Sequence, residues 1–285
     1  MNFHYFKTLL LFSSVVGLLL LFGCTPQNEN QAKEIKDTAW AILPFVKVDS
    51  LNPILAAGER DDGTYIMTYT AYDGKVARLC VASSTNLVKW IKHGLVLQGK
   101  YVDSWSKSEA IVAKQVGEKI VAKKINGKYW MYFGDTDLFL ATSDDLIHWQ
   151  PVVDENQKFK SILQPRKNYF DSRLVESGPY ALLTDKGIVL IYNGMNLDVG
   201  GDSTIAKGAY CAGQALFDKN DPSKLIDRLE KNFLRPDKPY EISGQINQVC
   251  FVEGLVPFHG KWFLYFGTAD SKIAVAVSPI LPPSS

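Results

Sequence analysis

The chain has 285 residues, 46% of them hydrophobic and 12% aromatic, enough for one large domain with a core and short for two. A formal net charge of +1 without any run of basic residues excludes the basic stripe that nucleic-acid binding requires. Gly and Pro are spread along the sequence, which suits many short strands joined by turns.

In chain order, residues 1–23 read as an export leader. Lys7 precedes the almost wholly apolar residues 9–22. That stretch is too short to cross ~30 Å of hydrocarbon as a helix, but it suits a signal peptide. It ends Leu21-Phe22-Gly23-Cys24, which resembles a bacterial lipobox, although Phe22 is bulkier than the small residue usual there. Cys24 is therefore the expected lipidation site, and its acyl chains would anchor an exported bacterial lipoprotein on the periplasmic side or outer surface. Residues 24–38, with Gln27, Asn28, Glu29, Asn30 and Gln31, read as a flexible tether, and 39–285 as the folded domain. Cys80, Cys211 and Cys250 lie in apolar runs without C-x-x-C spacing and read as buried free thiols.

The folded part repeats itself. A glycine followed by aromatic and β-branched residues opens at Gly63 (G-T-Y-I-M-T-Y-T), Gly127 (G-K-Y-W-M-Y-F-G), Gly187 (G-I-V-L-I-Y-N-G) and Gly260 (G-K-W-F-L-Y-F-G). This is the composition of a buried strand after a turn. A second apolar strand follows each, from Arg78, Leu138, Tyr210 and Ile273. The first two run into a shared S-x-[N/D]-L-x-x-W ending, at 84–90 and 143–149. There Asn86 or Asp145 turns the chain, and the tryptophan fills the gap to the next sheet. The period of roughly 60 to 70 residues fits one four-stranded sheet with its loops, and sheets repeated radially make a β-propeller. The expected class is all-β. Helical patterning shows only at 222–231, as a turn or two.

A propeller gathers loops from every sheet at a central funnel, and sugar cleavage needs two carboxyl groups flanking the scissile bond. Acids in apolar or turn-rich settings are Asp171 and Glu176 (Y-F-D-S-R-L-V-E-S-G-P), Glu241 (P-Y-E-I-S-G), Glu253 (C-F-V-E-G), Asp135 and Asp270. Such a carboxyl can have a raised pKa and donate a proton, or can cap a turn or pair with an arginine. Glu176, between Val175 and a Ser-Gly-Pro turn with Arg173 in the same stretch, is the strongest candidate. Trp105, Tyr169 and Tyr240 are candidates for stacking on sugar rings, whereas Trp90, Trp149 and Trp262 read as core. Lys107 and Arg166 could hydrogen-bond hydroxyls. The histidines lack metal-ligand spacing, and neither G-x-S-x-G nor a phosphate-binding glycine loop is present.

Taken together, several of these motifs resemble glycoside hydrolase family 130. Residues 127–149 resemble its G-K-Y-x-M…A-x-S-x-D-L-x-x-W signature, as do L-I-Y-N-G at 190–194 and Y-C-A-G-Q-A-L-F-D at 210–218. Arg235-Pro236, Tyr240-Glu241, Val249-Cys250-Phe251 and Tyr265-Phe266-Gly267-Thr268-Ala269-Asp270 look the same. The resemblance covers roughly residues 60 to 280. It implies a five-bladed propeller and inverting chemistry on β-linked mannosides with an oligosaccharide substrate. No cofactor or metal is implied.

Two departures qualify it. Phe133-Gly134-Asp135 and Asn193 stand where the family's phosphorylases carry basic residues and a histidine for phosphate. An aspartate repels phosphate, so a hydrolase is expected. The family's proton-donating Glu-Asp-Pro-Arg motif is also absent: the chain passes from Asn52-Pro53-Ile54-Leu55 to Gly58-Glu59-Arg60-Asp61-Asp62-Gly63, where nearly a whole blade is expected. One blade should therefore be incomplete. Either an acid such as Glu59 or Asp61 substitutes, or catalysis is weak or lost and the chain only binds glycans. Glu176, Glu241 and Asp171 are the expected catalytic residues. Arg173, Lys107, Trp105, Tyr169, Tyr240, Asn193, Asp135, Glu253 and Asp270 are expected to bind substrate.

Overall fold

A computed structural model describes residues 39–47, 58–59 and 62–280. Cys24 and Asp61, and the side chain of Glu59, lie outside the described residues. A short strand, β1 (Val46–Lys47), comes first. The next sheet contains β2 (Gly58–Glu59), β3 (Tyr65–Tyr72), β4 (Ala77–Ser84) and β5 (Ile91–Leu95), each antiparallel to the one before. After it come β6 (Glu109–Val116), β7 (Lys119–Ala122), β8 (Tyr129–Phe133), β9 (Asp135–Thr136), β10 (Phe139–Ser143) and β11 (Trp149–Pro151). Here β6, β8, β10 and β11 form the second antiparallel unit.

The third unit is built from β12 (Leu174–Ser177), β14 (Ile188–Met195), β15 (Tyr210–Phe217) and β16 (Leu225–Arg228), with the short β13 (Ala181–Leu183) beside β14. The fourth contains β17 (Cys250–Phe258), β18 (Lys261–Thr268) and β19 (Lys272–Pro279). β1 completes it by pairing with β19, so the first and last described strands share a sheet. These are the four repeat units read from sequence, each with a glycine-led strand inside it. Only residues 48–57 separate β1 from β2, too few for another four-stranded unit with its turns. The blade expected to be incomplete is the one at that point.

The shared turn motif forms twice in the same way. Ser84 Oγ accepts from the N–H groups of Asn86 and Leu87, and Asn86 Oδ1 accepts from those of Val88 and Lys89. Ser143 and Asp145 do the same for Asp145, Leu146, Ile147 and His148. In each case the tryptophan indole donates to the leucine carbonyl, Trp90 to Leu87 and Trp149 to Leu146. Trp149 is wholly buried and Trp262 nearly so, whereas Trp90 is half-buried.

The helix expected at 222–231 does not form. Asp218 and Asp221 take the N–H groups of Asn220, Asp221 and Ser223 in side-chain turns, and the chain then pairs with β15 as β16. The one α-helix among the described residues is α1 (Pro239–Ile242). Cys80, Cys211 and Cys250 are buried and free, as expected.

The segment before β1 is pinned across the third unit. Ile42 exchanges two hydrogen bonds with the Gln214 amide, and the Trp40 indole donates to Asp227.

Candidate active site

The first long strand of each of three units carries a glutamate: Glu109 on β6, Glu176 on β12 and Glu253 on β17. Glu176 is 1% exposed, and its carboxylate oxygens are sealed from solvent with the Tyr210 hydroxyl beside them. Its strand places it opposite Asp135 of β9 on one side and Asn193 of β14 on the other. Lys107 bridges the acids, with Nζ 3.3 Å from Asp135 Oδ2 and 4.0 Å from Glu176 Oε1. Burial pushes the Glu176 pKa up to about 7; the charge of Asp135 adds to the rise and Lys107 opposes it.

Asp135 sits between two residues with positive φ, Gly134 at 140° and Thr136 at 121°. A Cβ on Gly134 would meet the carbonyl oxygen of Asp137, so only glycine allows this turn. The Trp105 indole donates to Asp135 while its ring stays 47% exposed, and Lys107 Nζ lies 5.7 Å from that ring's centre. Tyr72 meets Trp105 edge-on at 6.1 Å, and a cavity of about 330 Å³ opens beside it, lined by Ala71, Tyr72, Asp73, Arg78, Leu95 and Asp103. Tyr210, at the start of β15, completes the group. Burial raises its phenol, and the charges of Glu176 and Asp135 add to that, while Arg173 opposes it.

Glu253 reaches solvent, yet the protein crowding around it and the charges of Glu109 and Glu176 push its pKa up to about 8. Glu109 Oε2 is buried without a partner, and burial carries that carboxyl to about 7 against a hydrogen bond with Thr68.

Of the residues expected from sequence, the structure thus brings together Trp105, Lys107, Asp135, Glu176 and Glu253, with Arg173 beside Tyr210. Asp270 is exposed at the β18–β19 turn, where Ala269 and Asp270 both have positive φ (46° and 49°). Tyr169 carries the Arg166 guanidinium 4.3 Å from its ring centre, and Tyr240 packs half-buried against the core of the fourth unit.

Three expectations are corrected. Asp171 is fully buried, and its carboxylate accepts from Arg166, Arg228 (2.7 Å) and the Tyr192 hydroxyl (2.7 Å), a saturated ion-pair network. Glu241 is also fully buried. Its Oε2 accepts from Lys47 Nζ (2.8 Å) and from the N–H groups of Asp237 and Lys238, which ties β1 to α1. Asn193 uses its amide to bridge sheets, donating to Ser177 and Val252 carbonyls and accepting from Val252 N–H. Asp171 and Asn193 have their polar atoms engaged, and Glu241, fully buried, keeps only Oε1 without a partner. Glu109 and Tyr210 were missed; the signal that could have found Glu109 is the recurrence of a first-strand glutamate at intervals of 67 and 77 residues.

A family model described as beta-1,4-mannooligosaccharide phosphorylase (Glyco_hydro_130) matches residues 59–281. The chain belongs to glycoside hydrolase family 130. Members are β-propellers, and the four antiparallel units are blades of that architecture. This family 130 chain is 32% identical over 220 residues to a 1,2-beta-oligomannan phosphorylase from Thermoanaerobacter sp. (strain X514), covering 76% of this chain and 64% of that relative. It thus spans less than two thirds of that relative's length.

A solved glycosyl hydrolase from Bacteroides ovatus is 48% identical at a TM-score of 0.76, with 80% of this chain and 65% of that one covered. Another solved structure comes from work on glycoside hydrolases within the GH130 family that target beta-1,2 mannosidic linkages in Candida mannan. It is 43% identical at a TM-score of 0.77, with 80% and 65% covered.

Proposed function

We propose that this family 130 protein is an inverting glycoside hydrolase that cleaves β-linked mannosides with water. The observation that carries the reading is Glu176, a buried carboxylate that has the Tyr210 hydroxyl, Lys107 and Asp135 beside it and no arginine on it. Burying a carboxylate with so few partners is costly, and a substrate or water that hydrogen-bonds it would offset the cost. In this reading Glu176 takes a proton from the attacking water, and Lys107 steadies the resulting charge distribution. Asp135 accepts from sugar hydroxyls, and the exposed face of Trp105 stacks on a ring. The cavity beside Tyr72 offers room for a further sugar unit.

Water is the favoured acceptor because the site is acidic. Asp135 and the Glu176 carboxylate would repel a phosphate dianion, while Lys107 is already engaged by Asp135. The likeness to a structure from the work on β-1,2-mannoside hydrolases supports the same acceptor and makes β-1,2-mannobiose the first substrate to try.

The purified protein should release free mannose in phosphate-free buffer, and Glu176→Gln should lower kcat/KM at least 100-fold. Mannose 1-phosphate formed only after phosphate is added would establish a phosphorylase instead. The absent Glu-Asp-Pro-Arg motif favours a second reading, a glycan-binding protein; mannoside binding in calorimetry without turnover would establish that one. We further propose that Cys24 carries lipid, so that Cys24→Ala should move the protein from the membrane to the soluble fraction.

A further inference from the structure

Resting on the hydrolase reading, we propose that Glu253 is the general acid of this site, giving its proton to the glycosidic oxygen while Glu176 activates water. Sugar cleavage with inversion needs one carboxylic acid and one carboxylate on opposite sides of the bond. Three glutamates are candidates, and β17 lies against the sheet of Glu176: Asn193, opposite Glu176, hydrogen-bonds both backbone groups of Val252, the residue before Glu253.

Glu109 is half-buried, with one carboxylate oxygen sealed from solvent and a hydrogen bond with Thr68 that ties it to the neighbouring β3. Glu176 is buried but has a cation, Lys107, at 4.0 Å. Glu253 alone of the three is solvent-exposed. It is also the extra residue of a β-bulge: Val252 pairs with Phe266 and Gly254 with Tyr265, leaving Glu253 without an opposite residue. A bulge re-aims a side chain that would otherwise follow the alternation of its strand, and such bulges recur beside active sites.

The electrostatics divide the roles. Protein crowding around Glu253 and the negative charges of Glu109 from β6 and Glu176 from β12 all favour its protonated form. Glu176 has the negative Asp135 beside it but also Lys107, so it gives up its proton first. In the balanced step, the bond from C1 to the glycosidic oxygen breaks and Glu253 protonates the leaving oxygen. Water oxygen bonds to C1 from the opposite face, and its proton passes to Glu176. Exchange with solvent then returns a proton to Glu253 and removes one from Glu176, so the net co-reactant is one water.

The test compares β-mannobiose, whose leaving group needs a proton, with 2,4-dinitrophenyl β-mannoside, whose leaving group does not. Glu253→Gln should lower kcat/KM on mannobiose at least 100-fold and on the aryl mannoside less than tenfold. Retained mannobiose cleavage would overturn the assignment and leave the hydrolase reading standing. A wild-type protein inactive on both substrates would overturn both.

If Glu253→Gln loses both activities, the wild-type pH profile decides. An alkaline limb on mannobiose that is missing with the aryl substrate supports Glu253 as the donor, and the same limb with both contradicts it.

Discussion

At the residue scale, the difference between a working acid and a structural one lies in who occupies its oxygens. Glu176 and Asp171 come from the same apolar stretch, yet Asp171 meets two arginines and a tyrosine while Glu176 meets a tyrosine and no arginine. Local sequence gave both the same signal, because hydrophobic neighbours report burial and not partners. Arg228 lies 57 residues from Asp171, and Lys47 lies 194 from Glu241, distances at which sequence offers no hint of pairing.

Asp171→Ala should therefore cost about 3–5 kcal/mol in chemical denaturation, since it strands the buried Arg228 and the half-buried Arg166. The raised carboxyls predict a pH dependence with a definite sign. Glu109 holds its proton up to about 7 in the folded chain, whereas its ordinary value is 4.5. Folding therefore binds protons between those values, and stability falls as pH rises through them. Glu109→Gln removes that group's share, so its denaturation midpoint should gain on the wild type between pH 5 and pH 8. A constant difference across that range would contradict the assignment.

At the element scale, the strands and turns were legible because the repeat supplied the same pattern several times. The S-x-[N/D]-L-x-x-W turns fold as the motif suggests, with Leu87 and Leu146 both at positive φ (61° and 69°). The expected helix at 222–231 failed for a local reason: Asp218 and Asp221 offer the backbone side-chain turns that compete with helix formation. Burial separates the two tryptophan turns. Trp149→Ala should cost about 3–5 kcal/mol because it empties a wholly buried site. Trp90→Ala, at a half-buried position, should cost clearly less in the same urea titration.

At the scale of the molecule, the middle strands of the blades differ in how well they are covered. In β14 the residues from Ile188 to Gly194 are buried, whereas Tyr65, Met67 and Tyr69 of β3 and Phe263 and Tyr265 of β18 are partly exposed. β18 and β3 belong to the sheets on either side of residues 48–57, where a blade is expected from sequence and the chain is too short for one. Amides of β14 should accordingly outlast those of β3 in hydrogen exchange, and equal protection would contradict this account of the packing.

Sequence repeats located the blades and named several of the acids. The choice among those acids needed coordinates, because it depends on contacts between different blades. The most direct test is proton NMR of β-1,2-mannobiose cleavage, following the first sugar released. Inversion by water predicts α-mannose as the first-formed product in phosphate-free buffer. First-formed β-mannose, or mannose 1-phosphate appearing only with phosphate, would contradict it.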